Sequence, residues 1–139
     1  MFFLIPGKWL GEGNISITGS EENIHYYTKW LVRSEEDGIV HAIQVVEKEG
    51  IKEHVRNHYR FSRISQESFT VEMENNLFGI TSGAGEITPE GLRWMFPDGS
   101  PCQGFEELQK IGDDLYQVHA EFVSESFKTL ITGKLWKSN

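Results

Sequence analysis

Hydrophobic and polar residues alternate with a period of two along most of this 139-residue chain. The alternation comes in segments of roughly seven to twelve residues, separated by short clusters rich in Gly, Asn, Asp, Ser and Glu. A strand with one buried face shows this period, because successive side chains point to opposite faces of a sheet. Segments with a helical period are almost absent, so the pattern predicts an all-β protein.

The alternating segments predict roughly ten strands. They cover residues 8–18, 24–34, 39–48, 51–64, 68–74, 77–81, 85–88, 92–96, 104–111, 115–124 and 127–136. The connections are short and rich in turn residues, so neighbouring strands should pair antiparallel. A twisted sheet of this size rarely stays open, and no long connection indicates a Greek-key sandwich. We expect a closed antiparallel up-and-down barrel of about eight to ten strands, forming one domain over residues 1–139.

The cleanest alternation also indicates which side chains point into the barrel. A basic row should face solvent on the strand predicted over residues 51–64, and it consists of Lys52, His54, Arg56, His58 and Arg60. The more apolar rows should point inward, and they consist of Ile24, Tyr26, Thr28, Trp30 and Val32, of Val55, Asn57, Tyr59 and Phe61, and of Phe69, Val71 and Met73. The third and last strands are apolar on both faces, so their register stays open.

The charge balance argues against one large class of partner. The chain has 21 acidic and 13 basic residues and a formal charge of −8, which repels the phosphate backbone of nucleic acids. Cys102 is the only cysteine, so no intramolecular disulfide forms. No apolar run approaches the roughly 20 residues of a membrane-spanning helix, and the apolar start is too short for a signal peptide. We expect a cytoplasmic protein and leave a homodimer open.

The segment Gly7-Lys8-Trp9, followed by Gly11-Glu12-Gly13, resembles the first strand of the calycin superfamily. Lipocalins, fatty-acid-binding proteins and nitrobindin-like proteins belong to that superfamily. The resemblance implies a lipocalin-like barrel in which Trp9 lies inside the closed end, while Gly11 and Gly13 let the first strand bend. Nitrobindin-like barrels, with their short loops, fit best, yet they bind haem through a histidine in the last strand. Residues 127–136 contain no histidine, so we predict no haem and no other cofactor.

Few residues indicate catalytic or metal chemistry. The five histidines show no zinc-ligand spacing, and alternation places His119 on the outer face, so no metal site is predicted. Glu53 is the one carboxylate on a predicted inward row, near a strand end where solvent reaches it. Cys102 has no neighbouring base that would generate a thiolate. We therefore predict no catalytic residue.

Hydroxyl, amide and aromatic groups on the inward rows resemble a pocket with a few orienting polar groups. The candidate ligand-binding residues are Tyr26, Thr28, Trp30, Asn57, Tyr59, Phe61 and Phe69. The leading hypothesis is non-catalytic binding or sensing of a small hydrophobic or amphipathic molecule inside the barrel. Two alternatives remain. One is a small barrel enzyme of isomerase or lyase type acting on an apolar substrate, and the other is a filled barrel that serves as a protein-interaction module.

Overall fold

The chain folds into one closed antiparallel sheet. The computed structural model describes residues 4–35, 37–77 and 79–138, and these residues form ten strands and no helix. The strands are β1 (Gly7–Ile17), β2 (Asn23–Ser34), β3 (Val40–Lys48), β4 (Val55–Ser62), β5 (Ser68–Asn75), β6 (Gly79–Thr88), β7 (Gly91–Phe96), β8 (Gly104–Gly112), β9 (Leu115–Val123) and β10 (Lys128–Lys137). Each strand pairs with the next, and β10 pairs with β1. The predicted all-β, closed up-and-down barrel is confirmed.

One strand was predicted as two. The segments expected over residues 77–81 and 85–88 belong to the single strand β6, which pairs with β5 from Gly79 opposite Asn75 to Glu86 opposite Ser68. Gly83 and Gly85 lie in the middle of this strand. Because glycine contributes neither an apolar nor a polar side chain, it interrupts the alternation on which the prediction depends.

The strand predicted from residue 51 begins only at Val55. Residues 51–54 form an exposed connection, so Lys52 and His54 face solvent without belonging to a strand face. Arg56, His58 and Arg60 do lie on the outer face of β4. The Arg60 guanidinium donates to Glu72 over 2.9 Å and lies 3.5 Å from Glu74 on the neighbouring strand.

The structure settles the register of the two strands that the sequence left open. On β3, Val40, Ala42 and Gln44 are buried inside the barrel, while Ile43 and Val45 lie on the outer face. On β10, Leu135 is buried. The outward Ile43 and Val45 are half-buried, which is compatible with apolar residues on the outer face of that strand.

The two ends of the barrel differ in how they are closed. We call the lower end the one that carries the β2–β3, β4–β5, β6–β7 and β8–β9 connections, and the upper end the opposite one. Leu4, just ahead of β1, and Trp9 are buried at the lower end. The Trp9 and Tyr116 ring centroids lie 5.6 Å apart. Trp9 therefore lies inside the closed end, where the resemblance implied it would.

An aromatic cluster fills the middle of the barrel above Trp9. It consists of Trp30, Tyr59, Phe61, Phe69 and Trp94, whose neighbouring ring centroids lie between 5.0 and 6.5 Å apart. Edge-on and offset contacts at such distances add roughly 0.5–1.5 kcal/mol per pair beyond the burial of apolar area. The aromatic cluster thus makes the lower and middle interior a packed core.

Gly85 of β6 provides the space that the Phe69 ring occupies. A Cβ atom at position 85 would lie 2.1–2.6 Å from three atoms of that ring. Gly85→Ala should therefore destabilise the fold by about 1–3 kcal/mol, as overpacking of a dense core does. Ser82→Ala, an exposed change on the same strand, should stay within about 0.5 kcal/mol.

Urea unfolding of both variants measures these differences. The double variant Gly85→Ala/Phe69→Leu should recover part of the lost stability, because the smaller side chain relieves the clash. Equal stability of Gly85→Ala and the parent chain would contradict the close packing.

Candidate functional site

The upper part of the barrel contains a cavity of about 370 Å³ that opens toward solvent. Its floor is the ring of Tyr59, the member of the aromatic cluster that lines the cavity. The walls are mostly apolar side chains, among them Ile15, Val46, Val55, Met73, Phe122 and Ile131. Small-molecule sites commonly have volumes of about 300–1,000 Å³ with apolar walls and few polar groups. The cavity has the size and lining of a site for one small molecule.

The seven candidate residues divide between the cavity and the core. Tyr26, Asn57 and Tyr59 line the cavity. Trp30, Phe61 and Phe69 belong to the aromatic cluster below it. Thr28 is buried and donates a hydrogen bond from Oγ1 to the Val45 carbonyl oxygen over 2.9 Å. A ligand role for each of the seven stays a prediction, and the geometry gives three of them access to the cavity.

Glu106 of β8 is the carboxylate in the cavity wall, and the sequence interpretation missed it. It is 9% exposed and lies opposite Trp94 of β7 and Ala120 of β9. Burial raises the pKa of this carboxyl from its ordinary value of 4.5 to about 7. The signal was available, because Glu106 precedes the buried Leu108 by two residues and so shares its face. Glu53, which the sequence placed inward, lies exposed in the connection before β4.

The charge of the Glu106 carboxyl shifts the pKa of three neutral groups. Burial, and secondly the charge of Glu106, raise the pKa of Tyr26, of Tyr59 and of Cys102, the last to about 12. All three groups therefore keep their protons at neutral pH. Cys102 is half-buried in the β7–β8 connection and lines the cavity as a thiol, not as a thiolate.

A chain of side-chain amides crosses three strands on the opposite wall. The backbone N–H of Leu77 donates to Asn75 Oδ1 over 2.6 Å, which leaves the Asn75 Nδ2 group to donate to Asn57 Oδ1. Asn57 Nδ2 in turn donates to Gln44 Oε1 over 2.8 Å. The backbone donor thus fixes the orientation of every amide, and the chain ends in the Gln44 Nε2 donor beside the cavity.

The cavity opening has an apolar rim. Leu77 of the β5–β6 connection is 69% exposed, and Val123 and Phe127 on the β9–β10 side are 44% and 45% exposed, although all three line the cavity. Exposed apolar side chains around an opening are typical of ligand grooves and interaction sites. An apolar molecule can therefore remain in contact with apolar surface while it enters.

The histidines lie outside the cavity. His119 is on the outer face, 3.3 Å from the Glu121 carboxylate. His41 Nδ1 and His58 Nε2 on the outer faces of β3 and β4 are 3.1 Å apart, so one ring donates to the other. Burial, followed by the charges of Arg60 and His41, lowers the pKa of His58. Within the described ranges, no three His, Cys, Asp or Glu side chains converge as a metal site requires.

A closed antiparallel barrel with an open cavity at one end is the class that this geometry defines. The comparisons found a similar solved structure, that of the S-type phycobiliprotein lyase CPES from Guillardia theta. The TM-score is 0.61 at 6% sequence identity, over 99% of this chain and 90% of the lyase. No family model and no curated protein sequence matches the chain. The likeness shows a lipocalin-like fold, and the described residues include no helix long and apolar enough to cross a membrane.

The buried Glu106 carboxyl makes stability depend on pH. Its pKa is about 7 in the folded chain against an ordinary value of 4.5, so between these values the folded state holds more protons than the unfolded state. The free energy of unfolding should therefore fall as the pH rises from about 4.5 to about 7, by at most about 3 kcal/mol, and then level off.

Glu106→Gln removes the titrating group and should flatten this part of the profile. Urea unfolding at pH 5 and pH 8 measures the effect, and Glu107→Gln, its outward neighbour on β8, is the matched control. A parent chain and a Glu106→Gln variant with parallel profiles would contradict the burial of an unpaired carboxyl.

The amide chain gives a second test of the site. Asn57→Leu keeps the side-chain size but leaves Gln44 Oε1 and Asn75 Nδ2 without their partner, which should cost about 1–3 kcal/mol for each group left unsatisfied. Asn14→Leu, on an exposed position of β1, should change stability by less than about 0.5 kcal/mol. Thermal unfolding of the two variants compares them directly, and equal melting temperatures would refute the chain of hydrogen bonds.

Proposed function

We propose that this protein binds or senses one small hydrophobic or amphipathic molecule in the cavity at the upper end of its barrel, without chemical conversion. The observation that supports this proposal is the cavity of about 370 Å³ above a fully packed aromatic cluster. The apolar walls provide the affinity, at roughly 25 cal/mol for each Å² of apolar surface removed from water. Gln44 and Glu106, on opposite walls, provide two polar contacts that would orient an amphipathic ligand.

The structural neighbour adds support of a general kind. Its name assigns lyase activity toward phycobiliproteins to that protein, and at 6% identity only the fold carries over to this chain. The calycin relationship suggested by Trp9, Gly11 and Gly13 belongs to the same proposal. We also propose, on charge alone, that nucleic acid is not a partner. The cytoplasmic location and the homodimer stay predictions.

One observation favours the enzyme alternative as a second candidate. The isomerase or lyase hypothesis requires a buried base, and Glu106, with its pKa near 7, meets that requirement better than the exposed Glu53. The interaction-module alternative requires a filled barrel, which the cavity does not favour. Mass spectrometry of compounds extracted from the native protein, before and after incubation with fresh protein, separates the two. A carrier returns the compound unchanged, whereas an enzyme converts it and Glu106→Gln does not.

Filling the cavity should abolish binding. Val46 lines the cavity and Val45, its neighbour on β3, faces outward, so Val46→Trp and Val45→Trp form a matched pair. An environment-sensitive hydrophobic fluorophore should bind the parent chain and Val45→Trp with saturation, and Val46→Trp at least tenfold more weakly. Fluorescence titration, with circular dichroism to show that both variants fold, measures this. Equal binding by the two variants, or no saturable binding by the parent chain, would overturn the proposed site.

A further inference from the structure

The charge of the cavity interior is unbalanced. Glu106 is more than nine-tenths buried, and the described residues form neither an ion pair nor a hydrogen bond with its carboxyl group. Its carboxyl group lies in the wall of a cavity that reaches solvent, so a ligand can reach it. An ionised carboxylate without a partner is costly in a place of low dielectric, and a cation or strong donor brought by a ligand would remove that cost.

The elements around Glu106 offer it no cation. The inward side chains of β7 carry no charge. On the inward row of β9 the titratable side chain is Tyr116, whose pKa is raised by burial and then by Asp114. Tyr26, Tyr59 and Cys102, which face Glu106 from β2, β4 and the β7–β8 connection, keep their protons for the reason given above. The acidic excess of the chain, at −8, adds a field that attracts cations.

We propose that the cavity selects amphipathic molecules whose buried end carries a protonated or N–H-bearing nitrogen, which binds the Glu106 carboxylate, over carboxylates of the same length. This inference rests on the proposed binding function and names the ligand class for the same cavity. A ligand carboxylate would place a second negative charge beside Glu106, so one of the two groups would have to bind a proton. A ligand ammonium instead forms a charge-assisted hydrogen bond with the ionised carboxylate.

One cationic side chain, that of Lys48, does line the cavity. Lys48, at the upper end of β3, is half-buried near the opening, and no ion pair joins it to Glu106. Lys48 defines the competing arrangement, in which a ligand carboxylate stays at the mouth and only the apolar tail enters. The experiment must therefore separate selection by Glu106 inside from selection by Lys48 at the mouth.

The test compares decylamine, 1-decanol and decanoate as competitors of a bound hydrophobic fluorophore. All three are used below the concentrations at which they aggregate, at pH 6 and at pH 8. At pH 8 decylamine should displace the fluorophore at a concentration at least tenfold lower than decanoate, with decanol between them. Between pH 6 and pH 8 the affinity for decylamine should rise by about tenfold, because binding no longer has to remove a proton from Glu106. The affinity for decanol should not change with pH.

The variants assign the effect to a residue. Glu106→Gln should bring decylamine and decanol to equal affinity, while Glu107→Gln, its outward neighbour, should keep the parent order. If Glu106→Gln does not fold, the pH dependence of decylamine on the parent chain still tests the proposal. Decanoate that binds as well as decylamine to the parent chain, or an amine preference that survives in Glu106→Gln, would overturn it.

Two further outcomes identify what failed. A preference for decanoate that Lys48→Met abolishes would show that the mouth sets the charge selectivity, and the proposal for Glu106 would be wrong while the binding function stands. A parent chain to which the fluorophore does not bind at all would refute the binding function and this inference with it.

Discussion

The hydrogen-bonded pairing of β1 with β10 is the interaction on which the rest of the structure depends. It runs without a break from Trp9 opposite Lys137 to Ile17 opposite Thr129 and joins the two ends of the chain's sheet. Closure removes both sheet edges, so every strand has two partners and no backbone edge is left for another chain. It also fixes an interior of ten strands, slightly wider than the eight that side chains fill with ease. The volumes of the inward side chains then determine which parts of the interior are filled and which part stays open.

The interior is densely packed around the aromatic cluster, and the cavity lies above Tyr59. Three tryptophans and three phenylalanines are buried in the core, and the missing side chain of Gly85 leaves the space that the Phe69 ring occupies. Above Tyr59 the inward positions hold mostly branched aliphatic residues, methionine and amides, with Tyr26, Glu106 and Phe122 among them, and these side chains leave the cavity open.

Alternation predicted the fold because every strand has one face toward the interior, and the period of two is a direct consequence of that geometry. The prediction failed where the two faces of a strand do not differ in polarity. Glycines in β6 split one strand into two, and half-buried outer residues hid the register of β3. Alternation predicts which face of a strand a side chain lies on, but not its position along the barrel axis. The prediction therefore grouped Trp30, Phe61 and Phe69, which belong to the core below the cavity, with three residues that line it: Tyr26, Asn57 and Tyr59. The position along the barrel axis depends on the stagger between strands, which the sequence of a single strand does not determine.

Glu106 was missed for a related reason. A charged residue next to another glutamate suggests a solvated strand face, and only its spacing from Leu108 places it inside. A carboxyl group at this position reduces stability whenever it is ionised, and leucine or valine at the same place would pack without that cost. This destabilising carboxyl group lies in the wall of an accessible cavity and not in the filled core. Such a position favours a role in binding over a role in stabilising the fold. The position of this one residue, together with the volume of the cavity, therefore supports the proposed binding function over an incompletely packed core.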